Sequence, residues 1–164
     1  MTVPPATLSL RPATDEDLPF LRRVYASTRA AELEAVPWTS QEKERFLAFQ
    51  FEAQHRDYRE RFPHAAYDVV LADGEAVGRL YVDRRDGEIR LIDIALLPER
   101  RGRGFGSVLL TRLLAEAEAS GLPVRIHVER RNPALDLYLR LGFRAVEHGG
   151  VYDLLEWRPA GPSP

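Results

Sequence analysis

The chain has 164 residues, a length that suits one domain, whose single core buries about 70% of the unfolded surface. It contains no cysteine, which excludes disulfides, thiolate catalysis and cysteine-ligated metals. The formal net charge of -2 gives no overall attraction to nucleic acid or to an anionic membrane, so any anion site must be local.

The N-terminal residues 1–5 contain no basic segment followed by an apolar one. No apolar run in the chain approaches the ~20 residues that a membrane helix needs. We therefore expect a cytoplasmic protein with no membrane partner.

The first part of the chain predicts one short strand and two helices. Leu8–Arg11 alternates apolar and polar residues, as a half-buried strand does. Thr14 and Thr39 each stand three positions before an acidic residue, which is the spacing of a capping box. Helices are therefore predicted after both threonines, ending at about Ala35 and Phe62.

After the second helix the hydrophobic period changes to two. The predicted strands are Tyr67–Ala72, Ala76–Asp83 and Glu88–Leu97, and Asp-Gly turns separate them. The third strand is nearly continuous in apolar residues, as expected of a strand buried on both faces. The later predicted elements are a helix to about Ser120, a strand Val124–Glu129, a short helix Ala134–Leu141, and a hairpin of Phe143–Val146 with Val151–Trp157.

The order of these elements is β-α-α-β-β-β-α-β-α-β-β, without an internal repeat or an interdomain linker. This order predicts one α/β (α+β) domain with a largely antiparallel sheet. We assign the domain to residues 1–158 and a loose, proline-rich tail to residues 159–164.

A glycine-rich loop, Arg101–Gly106, connects the third of these strands to the next helix. The first N–H groups of a helix have no partner inside the helix, and the helix dipole is positive at that end. Glycines at 102, 104 and 106 permit positive φ and let a ligand approach the backbone closely. The loop therefore predicts a pyrophosphate site, to which Arg101 and Arg103 add charge. The alternative is a solvated turn that only caps the helix.

Two common phosphate loops do not fit the sequence. A dinucleotide fingerprint would need its third glycine at Ser107, and a Walker loop would need Gly-Lys-Ser/Thr. The pattern present is Arg101-x-x-Gly104-x-Gly106.

Two segments resemble the motifs of the GNAT superfamily (GCN5-related N-acetyltransferases). Ile92–Gly106 resembles the acetyl-CoA motif of that family, and Asn132–Phe143 resembles its second motif, written Asn-x-x-Ala-x-x-x-Tyr-x-x-x-Gly-Phe. The step from Asn132 to Ala134 is one residue shorter than the commonest spacing. The resemblance implies a GNAT-like domain with a central mixed, mostly antiparallel twisted sheet of about seven strands, flanked by about four helices.

The resemblance also implies an acyltransferase that moves an acetyl group from acetyl-CoA directly to a primary amine in a ternary complex, without a metal. In this family the fourth and fifth strands splay apart, and pantetheine fills the opening like an added strand. The N–H of Leu96 should polarise the thioester carbonyl. The implied CoA-binding residues are Ile94, Ala95, Leu96, Arg101, Gly102, Arg103, Gly104, Phe105, Gly106, Ser107 and Asn132.

Tyr138 occupies the position of the family's general acid, which protonates the leaving thiolate. A core aromatic is the alternative. For the general base, His127 lies in the middle of a strand and titrates near neutrality, and Asp93 lies within an apolar run. Asp93 could instead pair with Arg79 or Arg90. Glu129 is a weaker candidate, and a water chain without a single base is also open.

The first two helices usually form the acceptor pocket in this family. The candidates for it are Arg29, Trp38, Gln50, Gln54 and Tyr58. Arg29 could instead form a surface ion pair with Glu32, and Trp38 could cap the core. Gln50, Gln54 and Tyr58 could equally pack on the sheet, with the amides bonded to backbone. Phe46 and Phe49 are expected to pack against the protein interior.

The acceptor is expected to be a small-molecule or peptide amine, and its identity and the acyl length stay open. The competing hypothesis is a non-catalytic CoA-binding sensor or scaffold. A nucleic-acid partner is not expected, because the net charge is negative and the arginine clusters lack interleaved aromatics. A homodimer is left open.

Overall fold

The computed structural model describes residues 4–161, and the last part of the predicted tail, residues 162–164, lies outside them. The strands are β1 Leu8–Pro12, β2 Ala66–Ala72, β3 Glu75–Arg84, β4 Ile89–Leu96, β5 Val124–Glu129, β6 Arg144–His148 and β7 Tyr152–Trp157. The helices are α1 Leu18–Glu34, α2 Ser40–Arg61, α3 Phe105–Ser120 and α4 Leu135–Arg140. Every predicted element is present. Most ends differ by two residues or less, and α1 begins at Leu18, after a single 3-10 turn at Asp15–Asp17.

The seven strands form one sheet in the order β1-β2-β3-β4-β5-β7-β6. The pairs β1–β2, β5–β7 and β6–β7 are antiparallel, and β4–β5 is parallel. A parallel pair needs a crossover connection, and α3 lies in the one between β4 and β5. The predicted mixed, mostly antiparallel sheet with four helices is confirmed.

The chain divides into two compact units, each built from two segments. The first unit comprises residues up to 80 together with 94–103, and the second comprises 81–93 together with the residues from 104 onward. The division falls within β3 and within β4, so each of these strands contributes to both units.

In the first unit, α1 and α2 pack through a small aromatic and aliphatic core. Leu21, Tyr25 and Phe51 are its buried members, and Phe51 is the one fully buried side chain of α2 in the described chain. Phe46 is half-buried and contacts Trp38 edge-on, with ring centroids 5.1 Å apart. The prediction that Phe49 packs inside is wrong, since it is 74% exposed. Phe49 lies two residues from Phe51 and therefore about 200° around the helix, on the opposite face.

The entry to α1 depends on an ion pair between β1 and the turn before the helix. Both terminal nitrogens of Arg11 donate to the Asp17 carboxylate, at 2.7 and 2.8 Å. The same carboxylate accepts from the Thr14 backbone N–H at 2.8 Å, which completes the predicted capping box. These hydrogen bonds, with that of Arg11 the largest, lower the pKa of Asp17 to about 2.

Replacing Asp17 with Asn should therefore destabilise the fold in a pH-dependent way. Because the folded-state pKa is depressed, the stabilisation is present above the unfolded pKa of ~3.9 and is lost as pH falls through about 2. Arg11 is 43% exposed, so solvent screening limits the loss to about 1 to 2 kcal/mol at pH 7. Urea unfolding of Asp17→Asn, with the exposed Glu16→Gln as control, measures it. An equal difference at pH 7 and at about pH 2 would contradict the assignment.

In the second unit, α3 buries its apolar stripe and β5 alternates between two faces. Val124, Ile126 and Val128 are buried, whereas Arg125 is half-buried and His127 is exposed. The polar side chains of β5 that a substrate could reach therefore lie on the face with Arg125 and His127. No helix among residues 4–161 is both long enough and apolar enough to cross a membrane.

Candidate active site

The glycine-rich loop ends where α3 begins, and its backbone has the form of an anion cradle. Gly102 and Gly104 adopt φ of 74° and 82°, in the left-handed region that favours glycine. No described atom lies within 4 Å of the Cβ position at either glycine, so the space beside this backbone is open. Gly104 caps the N-terminus of the 16-residue α3. A helix N-terminus preceded by glycines that lie beside open space fits a phosphate group.

The Arg101 side chain contacts two groups of the first unit. Its Nε donates to the Leu96 carbonyl at 3.0 Å, and Nη2 donates to the Ser27 hydroxyl at 3.4 Å. Arg100, next to it, donates to Glu75 at 2.6 Å. These bonds tie the start of the loop to the end of β4 and to α1. Arg103, by contrast, is exposed and lies within the loop itself.

The two parallel strands of the sheet diverge soon after they begin to pair. The register between β4 and β5 consists of Ile89–Val124 and Arg90–Arg125, and from there β5 continues to pair with β7. The splayed strands implied by the resemblance are therefore present.

A charge network ties the paired end of these strands. Glu88 accepts from Arg90 at 3.3 Å and from Arg125 at 3.4 Å, and Arg125 also donates to Glu156 on β7 at 2.7 Å. This network joins β4, β5 and β7 on the side where the strands are still in register, and it therefore anchors the closed end of the opening.

Tyr138 lies on α4 and is only 2% exposed. Its ring meets Phe143 edge-on, with centroids 5.6 Å apart. Burial, and next the charge of Asp93, raise the pKa of the Tyr138 hydroxyl well above its ordinary value. The hydroxyl therefore stays protonated at all physiological pH values and can act only as a proton donor. Asp93 itself is half-buried near the middle of β4.

Alkaline titration should identify Tyr138 as a tyrosine that does not ionise in the folded protein. Because its pKa is raised, wild type and Tyr138→Phe should show the same increase in phenolate absorbance up to about pH 11. Loss of one tyrosine's absorbance change in that range in Tyr138→Phe would contradict the raised pKa.

The His127 ring contacts an arginine of β4. Arg90 Nη1 lies 2.9 Å from His127 Nδ1, and since a guanidinium can only donate, Nδ1 is the acceptor and the ring proton lies on Nε2. In this arrangement the imidazole has no lone pair left to accept a substrate proton. Arg90, suggested as a partner of Asp93, donates to Glu88 and to His127.

Two other predicted residues have structural contacts. The Asn132 side-chain oxygen accepts from the Ala134 N–H at 2.8 Å, so it caps the turn into α4. Glu129 accepts from the Tyr152 hydroxyl at 3.2 Å. Asn132 therefore shapes the helix that carries Tyr138.

The polar residues proposed for the acceptor pocket contact other residues of the first unit. Gln50 accepts from the Tyr25 hydroxyl at 3.1 Å, and Gln54 accepts from Arg79 Nη2 at 3.0 Å. Arg79 is 2% exposed, and the sequence signal for it is an arginine between the apolar residues in the middle of β3. Gln50 and Gln54 therefore bind Tyr25 and Arg79 through their amide oxygens.

The other acceptor candidates lie around these glutamines. Arg29 forms the surface ion pair with Glu32, at 3.1 Å, and the Tyr58 ring packs near Phe62. Trp38, 42% exposed, lines a shallow groove with Phe46 and two charged residues of α2. Within residues 4–161, no three histidine or acidic side chains are placed to hold a metal ion.

The fold and the loop define the class of protein. The model of the acetyltransferase (GNAT) family matches residues 24–143, and the chain belongs to that family. The predicted family and the predicted class, an acetyltransferase, are thereby confirmed.

Solved structures share the fold over nearly the whole chain. PaiA N-acetyltransferase from Thermoplasma acidophilum, in complex with coenzyme A, is similar with a TM-score of 0.70 and 17% identity, over 93% of this chain and 99% of that one. A structure described as histone acetyltransferase HPA2 and related acetyltransferase, from Corynebacterium glutamicum, is similar with a TM-score of 0.64 and 25% identity, over 96% and 99%.

Curated relatives match a smaller part. Mycothiol acetyltransferase of Thermobifida fusca is 37% identical over 84 residues, which are 50% of this chain and 23% of that protein. The same enzyme of Nocardiopsis dassonvillei is 36% identical over 61 residues, 37% of this chain and 18% of that protein. The chain thus matches less than a quarter of each relative's length.

Proposed function

We propose that this protein is an N-acetyltransferase that moves an acetyl group from acetyl-CoA directly to a primary amine of a small molecule or a peptide. The main support is the loop of left-handed glycines that opens α3 beside empty space, in a chain of the GNAT family. Acetyl-CoA supplies the acyl group as a thioester and is a substrate rather than a resident cofactor. No metal takes part in the proposal.

Different residues are proposed to bind the pyrophosphate and the pantetheine arm of CoA. The N–H groups from Gly102 to Ser107 bind the pyrophosphate, and the helix dipole of α3 adds to their field. Main-chain groups of Ile94–Leu96 bind the pantetheine arm, and the Leu96 N–H donates to the thioester carbonyl. Arg101 positions the loop through its bond to the Leu96 carbonyl.

Tyr138 is proposed as the general acid and Asp93 as the general base. The hydroxyl of Tyr138 is protonated throughout the physiological range and lies in an apolar environment, where a thiolate is also poorly solvated and therefore strongly basic. The same environment disfavours both the Tyr138 phenolate and the CoA thiolate, so their pKa values are close enough for efficient proton transfer. We prefer Asp93 to His127 as base, because the Nδ1 lone pair of His127 already accepts from Arg90.

The acceptor is proposed to be an amine, and its identity is a question for an amine panel. Two curated relatives are named mycothiol acetyltransferases, so deacetylated mycothiol belongs in that panel beside polyamines, amino acids and peptide N-termini. A cytoplasmic location and a homodimer stay predictions.

Two glycines at opposite ends of α3 give a matched test of the CoA site. Gly104 and Gly121 have similar left-handed conformations, φ 82° and 69°, and open space at both Cβ positions in the described chain. Glutamate at either position carries the same backbone strain, but only Gly104→Glu puts a carboxylate at the phosphate loop. Calorimetry with acetyl-CoA should show affinity about 100-fold weaker for Gly104→Glu and little changed for Gly121→Glu. Equal affinities in the two variants would contradict the loop assignment.

Kinetics of three variants test the acid and the base. Tyr138→Phe should lower kcat by about 100-fold or more with little change in acetyl-CoA affinity, since only the proton donor is removed. Asp93→Asn should lower kcat by a similar factor, and His127→Gln should lower it by less than about threefold. A larger loss in His127→Gln than in Asp93→Asn would reverse the assignment of the base. Tight CoA binding by wild type without transfer to any amine would instead identify a CoA-binding module.

A further inference from the structure

A glycine inside β3 lies against the end of β4, where a side chain has no room. Gly78 is buried, and its φ lies outside the left-handed region, so any residue could adopt its backbone conformation. A Cβ at this position would lie well under 3.0 Å from the Ala95 carbonyl oxygen, a separation that real Cβ atoms do not show. It would also lie 2.8 Å from Cδ2 and 3.1 Å from Cα of Leu96. Space, and not conformational freedom, is therefore the reason for glycine here.

The contact defines the direction of one peptide group. The Ala95 oxygen is the atom nearest to the Cβ position of Gly78, and the Ala95 carbonyl carbon is no closer than 3.1 Å, so the C=O bond points towards β3. The peptide is trans, and in a trans peptide the C=O and the following N–H point in opposite directions. The N–H of Leu96 therefore points away from Gly78.

Two hydrogen bonds hold the peptide that follows, between Leu96 and Leu97. The Leu97 N–H donates to the Val77 carbonyl at 2.9 Å, which joins the two strands directly beside the Gly78 contact. The Leu96 carbonyl accepts from Arg101 at 3.0 Å. Both bonds belong to the 96–97 peptide, so they fix the chain directly after the 95–96 peptide.

We infer that Gly78 is a positioning residue for acyl transfer. Its missing side chain lets the 95–96 peptide direct its carbonyl into β3 and its N–H away from β3, in the orientation needed to polarise the thioester carbonyl. The inference rests on the proposed function, which assigns that role to the Leu96 N–H.

Gly78→Ala is the direct test. The added methyl should rotate or displace the 95–96 peptide, and the loss of one aligned donor should lower kcat by about 100-fold. The affinity for CoA itself should change by less than about threefold, since CoA has no thioester carbonyl. The infrared carbonyl band of bound, carbon-13-labelled acetyl-CoA should be shifted to lower frequency in wild type and should return towards its free position in the variant.

Val69→Ala, a truncation at a fully buried site in β2, is the control for lost stability. It should lower the melting temperature while leaving kcat per folded molecule and the carbonyl band unchanged. If Gly78→Ala behaves like this control, its role is structural and the inference is wrong.

A second variant, Leu96→Ala, distinguishes the effect of the Ala95 carbonyl contact from that of the Leu96 side-chain contact. Leu96→Ala removes Cδ2, one of the atoms that a Cβ at residue 78 would meet, and leaves the Ala95 oxygen in place. Gly78→Ala should cause the same fold loss of kcat in this background as in wild type. If Leu96→Ala instead restores the kcat of Gly78→Ala, the side-chain contact is responsible and the inference fails.

Wild-type protein provides a test that does not depend on a variant's folding. The amide proton of Leu96 should move downfield in the NMR spectrum when acetyl-CoA binds, and much less when CoA binds. No movement with bound acetyl-CoA would overturn the inference. Failure of wild type to bind or use acetyl-CoA would overturn the proposed function itself, whereas normal wild-type turnover with an unaffected Gly78→Ala would overturn only the role of Gly78.

Discussion

The early end of pairing between β4 and β5 is the constraint on which the proposed site depends. A sheet satisfies its main-chain N–H and C=O groups by pairing neighbouring strands, and this parallel pair has a register of only two residue pairs. Beyond that point β5 continues to pair with β7. On the proposed function, the pantetheine arm takes the place of a neighbouring strand, so that binding the substrate and completing the sheet are the same event.

Several arginine side chains near the proposed site bind other groups of the protein. Arg100 and Arg101 bind Glu75 and the Leu96 carbonyl, and Arg125 joins two glutamates across the closed end of the splayed strands. On the proposed function, the attraction for a pyrophosphate therefore comes chiefly from main-chain N–H groups and the dipole of α3. Such groups are fixed by the backbone and lose little side-chain entropy on binding, in contrast to flexible arginines.

Polar side chains of α2 also bind groups of the protein itself. Gln50 and Gln54 use their amide oxygens to accept hydrogen bonds from Tyr25 and from the buried Arg79. α2 is held to its unit by Phe51, which it buries in the core shared with α1, and by these polar contacts. An acceptor that bound to these glutamines would have to use the remaining amide protons or replace existing bonds.

Local features of this protein could be predicted from the sequence, because they depend on residues that are near neighbours in the chain. The capping threonines, the glycine turns, the change of hydrophobic period and the Arg101–Gly106 loop each follow from local hydrogen bonds and allowed φ and ψ. The element order and the family resemblance came from these local patterns, and the fold agrees with them. Phe49 was misplaced because helical spacing alone does not say which side of α2 faces the core.

Only the tertiary structure decided which side chains meet. His127 binds Arg90 across 37 positions of the chain, Gln54 binds Arg79 across 25, and Gly78 lies against Ala95 on another strand. Such pairs depend on strand register, in which a shift of one residue moves every side chain to the opposite face. The sequence by itself determined which chemical groups are present and which turns and helices carry them. The register of the sheet determined which of those groups are already bound to each other and which are left to act on a substrate.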